Sequence, residues 1–290
     1  MIALPTDWLR PDWPAPAHVH ALCTTRSPGV SLPPYDGFNL GDHVGDAPAA
    51  VQANRQALQQ VLSAATPGAQ AVFLQQVHGT QVWELDREAT PEACADACIS
   101  AAPGLACTIM VADCLPVLLT NRQGTAVAAA HAGWRGLAGV QGRGVLETVL
   151  ERFWALTQSQ KALRAIKNDA EGTDDTKPAA PGVAADTLVW LGPCIGPQAF
   201  EVGAEVSAAF CVHDAGAAQH FQPSAGGKYH TDLAALARLR LHALGVTQVY
   251  GNDSSAAWCT VGNPSRFFSH RRDSAALGGS GRFAVCIWRS

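Results

Sequence analysis

Three residues able to bind a metal ion, or to act as a nucleophile and base, lie where apolar segments of the sequence end. His78 follows AVFLQQV, Cys114 interrupts the apolar stretch 105–120 within ADCLP, and His131 ends TAVAAAH just before AGWRG. These segments are predicted strands, because they are short and apolar and are bounded by Gly, Asp or Pro. Strand ends can bring distant side chains together, so His78, Cys114 and His131 are predicted to share one site.

The spacing of these residues favours a catalytic metal centre over a structural zinc module. They lie 36 and 17 positions apart, and the sequence has no Cys-x-x-Cys knuckle. Two imidazoles and one thiolate suit Zn²⁺ and leave a fourth position for water or substrate. Each residue alone also has an ordinary structural explanation, as a hydrogen-bonded His or a buried Cys. The same set fits a cysteine hydrolase, with Cys114 as nucleophile and His131 or His78 as base.

Copper oxidase chemistry fits the sequence less well. A blue copper site uses a weak axial ligand, usually Met, and the sequence contains two methionines, Met1 and Met110. Among ten histidines the one His-x-His pair is His18 and His20, a poor match to an oxidase with several copper ions. Zinc is therefore the favoured metal and copper the alternative.

Arginines at predicted turns could bind an anion. Arg26, Arg135 and the pair Arg271-Arg272 lie beside apolar segments. A planar guanidinium matches phosphate or carboxylate, although each arginine could instead be an ordinary surface residue. The patterns GRG and GGSGR do not lead from a strand into a helix, which excludes a dinucleotide fingerprint.

The composition argues against nucleic-acid and membrane partners. The chain has 290 residues, 48% hydrophobic and 15% charged, with a formal net charge of −4 and no basic run. Nine cysteines, an odd number, are typical of reduced thiols rather than of a disulfide framework. No apolar stretch has transmembrane length, and MIALPTDW lacks the pattern of a signal peptide. A cytoplasmic protein is predicted.

Hydrophobic periodicity predicts an α/β fold with one domain over residues 1–290. A helix is predicted after Asp46 as N-cap, and another from Asp232 as cap to Gly245 as stop. Further helices are predicted at 144–156 and 203–210. The acidic stretch 157–186, which contains Pro and Gly, is predicted to be a surface insertion.

A set of motifs, in this order along the chain, resembles the YfiH-type laccase-domain family. The motifs are LPPYDGFNLGDHVGD, QQVHG, ADCLPVLL, HAGWRG, LGPCIG with FEVG, and FFSHRRD with GR, extending from about residue 24 to the C-terminus. Members of this family were once called polyphenol oxidases and are now regarded as purine nucleoside phosphorylases. This sequence has His270 where Tyr is commoner in the family, and the stretch 157–186 is longer than expected of it.

The resemblance implies a layered α/β sandwich with mixed β-sheet and a zinc site formed by His78, Cys114 and His131. It also implies phosphorolysis of adenosine, inosine and methylthioadenosine, with adenosine deamination alongside. Some bacterial members are linked to editing of peptidoglycan precursors. The expected partners are a small-molecule nucleoside and inorganic phosphate, and the chain is expected to be a monomer or a homodimer.

The implied reaction suggests roles for other residues. Asp113 is expected to orient the metal site or to act as acid or base, unless it only caps a turn. Asn39 is expected to contact the ribose hydroxyls. The residues expected to position phosphate are Arg26, Arg135 and Arg272.

Overall fold

Two β-sheets packed face to face, each covered by helices on its outer side, form the layers of this protein. The computed structural model describes residues 4–86, 93–171 and 182–290, with the backbone alone described over 164–171. The helices are α1 (Pro48–Ala65), α2 (Trp134–Ala138), α3 (Val145–Glu171), α4 (Ala204–Cys211), α5 (Leu233–Ala243) and α6 (Ala275–Leu277). The strands are β1 (Val19–Cys23), β2 (Gln70–Val72), β3 (Val82–Glu84), β4 (Ala97–Ser100), β5 (Leu105–Val111), β6 (Leu115–Asn121), β7 (Val127–Ala132), β8 (Thr187–Leu191), β9 (Glu201–Val202), β10 (Phe221–Pro223), β11 (Tyr229–Thr231), β12 (Gln248–Gly251) and β13 (Phe283–Arg289).

Both large sheets are mixed. One has four strands in the order β1-β13-β5-β2, and the other has six in the order β12-β8-β6-β7-β4-β3. Parallel pairs are β2 with β5, β3 with β4 and β8 with β12, while the remaining pairs in these two sheets are antiparallel. A small antiparallel sheet, β10-β11-β9, lies apart from them. The predicted layered α/β fold with mixed sheet is therefore confirmed.

Apolar side chains fill three spaces between the layers. Leu58 and Leu62 of α1 pack with Trp288 on the outer face of the four-stranded sheet. Ile109 and Trp190 belong to the cluster between the two sheets. On the outer face of the six-stranded sheet, the buried residues of α3 and α5 form the third cluster. Because the central strands β5, β6, β7 and β8 are covered on both faces, every position in them is buried and most are apolar, with no alternation of polar and apolar residues.

Successive side chains of strand β7 alternate between the two faces of the six-stranded sheet. Ala128 and Ala130 contact the helix side, and Ala129 belongs to the cluster between the sheets. Because successive side chains of a strand point to opposite faces, His131 lies on the inter-sheet side. The chain crosses from the four-stranded to the six-stranded sheet between β5 and β6, so the turn holding Cys114 lies at the same edge.

Three sequence predictions need correction. The predicted strand 71–79 ends at Val72, and the residues up to His78 form a loop. The N-cap of α1 is Ala47, while the Asp46 carboxylate accepts hydrogen bonds from the Ala47 N–H and from Asn39 Nδ2.

Helix α3 continues to Glu171, well beyond the predicted end at 156, so the first part of the predicted insertion 157–186 is helical. Thr157 is buried, and none of residues 158–163 of α3 is buried. Good helix formers such as Gln, Lys, Ala and Leu extend the helix there without burial. The rest of that prediction includes residues 172–181, which lie outside the described residues. Within the described ranges, no helix is both long and apolar enough to span a membrane.

Candidate metal centre and cavity

His78, Cys114 and His131 converge at the edge of the inter-sheet space. Their donor atoms all lie within 4.8 Å of one another, and within the described ranges this is the cluster of His, Cys, Asp or Glu side chains able to hold a metal ion. Cys114 Sγ lies 3.8 Å from His78 Nε2. The two imidazole rings meet edge to face, with centroids 4.7 Å apart. The structure therefore brings the three residues together as the sequence analysis expected.

A different feature of the local backbone positions each of the three side chains, His78, Cys114 and His131. His131 is held in the ladder of β7, whereas Cys114 follows Asp113, whose φ of +85° turns the chain from one sheet to the other. His78 adopts a left-handed φ of +60° in its loop. The turn after His131 passes so close that a Cβ on Gly133 would lie 2.9 Å from Cys114 Sγ. Gly133, the first glycine in HAGWRG, is therefore required for close approach of the backbone to the site.

Asp96, which the sequence analysis missed, fixes two of the three ligands. Its fully buried carboxylate accepts hydrogen bonds from the backbone N–H groups of Val77 at 3.2 Å, His78 at 2.8 Å and Gly79 at 2.6 Å. The same carboxylate lies 2.8 Å from His131 Nδ1. Because Nδ1 donates to Asp96, Nε2 of His131 is left as the metal-binding atom. A lone acidic residue in the stretch ACADACIS, residues 93–100, was the available sequence signal.

Opposite charges stabilise one another in this cluster. Burial alone would raise the pKa of Cys114, but His131 and His78 lower it to about 6. Burial alone would lower the pKa of His131, but Cys114 and Asp96 raise it to about 9. For Asp96, hydrogen bonds from His131, Gly79 and His78 overcome the effect of burial and hold its pKa below the usual value. Without a metal, the site therefore contains a thiolate beside an imidazolium.

The donor set fits a tetrahedral zinc ion. In such a site an imidazole nitrogen and a thiolate sulfur lie about 3.5 Å apart, given the usual zinc–ligand lengths. The separation of 3.8 Å between His78 Nε2 and Cys114 Sγ is close to that value, and all three donor atoms lie within 4.8 Å of one another. The carboxylate–imidazole pair of Asp96 and His131 is typical of second-sphere support at zinc sites.

A cavity of about 390 Å³ opens beside this cluster. Its wall has three parts with different chemistry. Besides His78, Cys114 and His131, the apolar lining includes Trp134, Ile195, Phe200 and Leu233, and the polar, basic lining includes His43, His270, Arg271 and Arg282. A cavity with apolar and cationic walls and reactive side chains at one end suits a small planar ligand together with an anion.

Arg282 is the lining arginine with most unused hydrogen-bonding capacity. Its Nη1 donates to the carbonyl oxygens of Ser280 at 2.9 Å and Gly281 at 3.1 Å, but Nε and Nη2 have no hydrogen-bond partner among the described residues. No described carboxylate forms an ion pair with it. Burial lowers its pKa, while Cys114 and Asp113 act in the opposite direction. A half-buried guanidinium with unused N–H donors and no ion-pair partner among the described residues is suited to an anionic ligand.

The four residues predicted to bind phosphate or ribose do not line this cavity. Arg26 forms an ion pair with Asp36 and lines a separate surface depression. Arg135 is exposed and lies over the ring of Trp134 at 4.4 Å.

Arg272 and Asn39 are committed to structural hydrogen bonds. Arg272 donates to the carboxylate of Asp273 and to the carbonyl oxygens of residues 260, 261 and 267. Asn39 is fully buried, and its amide bonds Gly41, Asp46 and the backbone N–H of Arg282. The spacing of turns could not distinguish these structural roles from anion binding. The sequence analysis quoted the GR motif without assigning Arg282 a role.

Asp113 lines the cavity, yet both of its carboxylate oxygens are engaged elsewhere. One accepts from Thr260 Oγ1 at 2.5 Å and the other from the backbone N–H of Arg271 at 2.7 Å. Its carbonyl oxygen accepts from Ile195 N at 2.9 Å. Asp113 therefore ties three loops around the cavity, while Asp96 is the residue that orients the His131 imidazole.

The fold and this site define a layered α/β protein with a His-Cys-His cluster facing a basic cavity, and comparison with known proteins gives the family. The family described as "Multi-copper polyphenol oxidoreductase laccase" matches residues 20–167 and 176–290. The chain therefore belongs to the YfiH-type laccase-domain family, as its motifs indicated.

Relatives cover almost the whole chain. It is 46% identical over 283 residues to "Purine nucleoside phosphorylase PA4543" of Pseudomonas aeruginosa, which covers 97% of this chain and 98% of that protein. It is 44% identical over 278 residues to "Purine nucleoside phosphorylase YfiH" of Escherichia coli K12, with 96% and 97% covered. Among solved structures, Neisseria meningitidis protein NMB0706 matches with a TM-score of 0.77 at 40% identity, covering 98% of this chain and 100% of that one.

Proposed function

We propose that this protein is a zinc-dependent purine nucleoside phosphorylase that cleaves adenosine, inosine and methylthioadenosine with inorganic phosphate. The names of its relatives support the reaction class. The observation that carries the proposal is the placement of Arg282, whose guanidinium has no ion-pair partner among the described residues, in the same cavity as the His-Cys-His cluster. The cavity thus joins an anion site to a metal site, as a phosphate-dependent cleavage requires.

Arg282 is the residue proposed to bind phosphate, with Arg271 beside it. Phosphate must lie beneath the ribose C1′ as the bond to the purine breaks, because the transition state carries positive charge on the sugar. The aromatic faces of Trp134 and Phe200 provide a surface on which a purine can stack. The cavity thus offers arginines for the anionic phosphate and aromatic side chains for the flat purine base.

His78, Cys114 and His131 are the proposed zinc ligands. When bound with three protein ligands, zinc supplies a Lewis acid with an open coordination position, which also suits the proposed adenosine deamination. Asp96 keeps the Nε2 atom of His131 directed toward the site. We also place the protein in the cytoplasm, because its nine cysteines are typical of reduced thiols.

Product analysis of the purified protein tests the reaction. Adenosine and inosine are incubated with and without phosphate, and the products are separated by liquid chromatography. Phosphate-dependent release of adenine or hypoxanthine together with ribose 1-phosphate is the expected result, and inosine formed from adenosine would reveal deamination. Protein with bound zinc that releases no base in the presence of phosphate would refute the phosphorylase proposal.

A cysteine hydrolase, with editing of peptidoglycan precursors as one such activity, is the second candidate. It is favoured by the lowered pKa of Cys114, about 6, and by the nearby His78. The two proposals separate on the Cys114→Ala variant and on chelation. A metal enzyme loses bound zinc and turnover together in Cys114→Ala, while Cys211→Ala serves as the matched control. A hydrolase keeps its activity after chelation and loses it on thiol alkylation.

A further inference from the structure

A histidine outside the metal cluster lies at the boundary between the cavity and the surface groove next to it. His43 lines both spaces, and 57% of its side chain is exposed. It belongs to the loop after Asn39, and Asn39 binds both the Gly41 N–H at 2.9 Å and the Arg282 N–H at 2.8 Å. A Cβ on Gly41 would lie 2.8 Å from Arg282 Cγ, so this loop is packed directly on the proposed phosphate-binding residue.

A carboxylate and a guanidinium hold the imidazole of His43 from behind. Nδ1 of His43 lies 3.5 Å from Asp42 Oδ1, and the other oxygen of Asp42 lies 3.0 Å from Arg55 Nη2. Arg55 is itself fixed, because its Nε donates to the carbonyl oxygen of Leu40 at 2.9 Å and its guanidinium lies over the ring of Phe73. Asp42 at Nδ1 selects the tautomer in which Nε2 is free, and Nε2 has no partner among the described residues. A carboxylate beside Nδ1 also orients the imidazole of catalytic histidines, although here the pair is more than half exposed and the atoms lie 3.5 Å apart.

We propose that His43 is the proton-transfer residue of the reaction, moving a proton from phosphate to the departing purine. This inference rests on the proposed phosphorylase function. The charged groups that face His43 are Asp42, Arg55 and Arg282. Burial and Arg282 lower the pKa of His43, with Asp42 opposing them only in part, so its Nε2 is a proton acceptor at neutral pH.

The proton balance closes without another reactant. A phosphate oxygen forms a bond to C1′ while the bond from C1′ to the purine nitrogen breaks, and that electron pair stays on the purine. The hydroxyl group of hydrogen phosphate loses one proton, and the purine gains one. His43 Nε2 accepts the first and supplies the second, so the residue ends in its starting state.

A substrate whose leaving group needs no proton tests this role. In 7-methylinosine the purine is already cationic and leaves as a neutral base, whereas inosine requires protonation. For the metal-loaded protein, we expect His43→Gln to lower kcat on inosine by about 100-fold or more, since general acid–base catalysis contributes about 10²–10⁴. The rate on 7-methylinosine should change by about threefold or less, because its leaving group needs no proton and the proton of hydrogen phosphate can pass to water instead. The KM for phosphate should change as little, because the Arg282 site is intact. His213→Gln, in an exposed loop, is the matched control.

Two further variants distinguish loss of the proton-transfer role from loss of activity through misfolding. Asp42→Asn keeps the imidazole and should cause a smaller loss that is again confined to inosine. Added imidazole should restore part of the inosine rate of His43→Ala. Equal losses on both substrates, or an unchanged inosine rate in His43→Gln, would overturn the proposal while leaving the phosphorylase function standing. Absence of phosphate-dependent cleavage in the wild-type protein would instead overturn both.

Discussion

At the scale of single residues, we expect Asp96 to determine how firmly the proposed metal site holds its ion. Its carboxylate accepts three backbone N–H groups and the Nδ1–H of His131, so an amide nitrogen at this position would face a donor. We expect Asp96→Asn to weaken metal binding by about 10- to 100-fold, the usual effect of losing such support. Competition with a chromophoric chelator measures this, and Asp12→Asn at an exposed position is the control. Equal affinities of the two variants would contradict the assigned role.

Metal binding should release a proton near neutral pH. With a pKa of about 6, Cys114 is already a thiolate at pH 7.5, whereas His131, with a pKa of about 9, is still protonated. Since a ligating imidazole must be neutral, the metal displaces the proton of His131, and affinity rises with pH between these two values. Above a pH of about 9 the dependence should disappear.

Titration calorimetry in buffers of different ionisation enthalpy counts the protons released. One proton per metal at pH 7.5 is expected. A value near zero would mean that His131 is neutral before the metal arrives.

Residue types beside apolar segments were sufficient to predict that His78, Cys114 and His131 come together, but not which residues surround them. Ligand types are limited in number, and His and Cys beside apolar segments are recognisable. Asp96 and Asp113 are both acidic residues in apolar surroundings, and the sequence does not say which one reaches the imidazole. Arg272 and Arg282 are likewise the same residue type, and they differ in how many of their N–H groups are used by backbone carbonyl oxygens and by the Asp273 carboxylate. That difference depends on how the chain folds within about a dozen residues of each arginine, which the residue types alone do not reveal.

At the scale of secondary structure, helix α3 should divide into a stabilising half and a neutral half. Leu150 is fully buried against the six-stranded sheet, while Leu163 is 55% exposed. Leu150→Ala should lower the free energy of unfolding by about 2–5 kcal/mol. Leu163→Ala should change it by no more than about 0.5 kcal/mol. Urea denaturation of both variants measures the difference, and a comparable loss at Leu163 would mean that the second half of the helix is also packed.

The elements covered on both faces were predicted best. The apolar stretch 105–120 was divided correctly into two strands at Asp113, and the cap at Asp232 is confirmed by its hydrogen bond to Ala235 N. The loop before His78 was mistaken for a strand because its apolar residues fit that pattern. Its left-handed turn is stabilised by the distant Asp96 carboxylate, which local periodicity does not reveal.

At the scale of the whole molecule, the metal site links the two sheets. Cys114 lies where the chain passes from one sheet to the other, and His131 belongs to the six-stranded sheet. An ion bound only by the folded protein adds about 4 kcal/mol when its concentration is about 1,000 times Kd. Chelation should therefore lower Tm by several degrees, as measured by calorimetry. The Cys114→Ala variant should show no shift on chelation, and an equal shift there would point to a second source of stabilisation.

The alanines of β7 limit how this protein can diversify. Ala128, Ala129 and Ala130 have no exposed surface, and layers on both sides close around them. A larger side chain in such a strand would strain its neighbours by about 1–3 kcal/mol. We therefore expect laboratory selection for new substrates to leave the strand that carries His131 unchanged and to alter instead the loop holding His43 and the π-helical turn His270–Ser274. Evolvability in this protein would reside in the segments around the cavity that carry His43 and His270, while strand β7 beneath them stays constant.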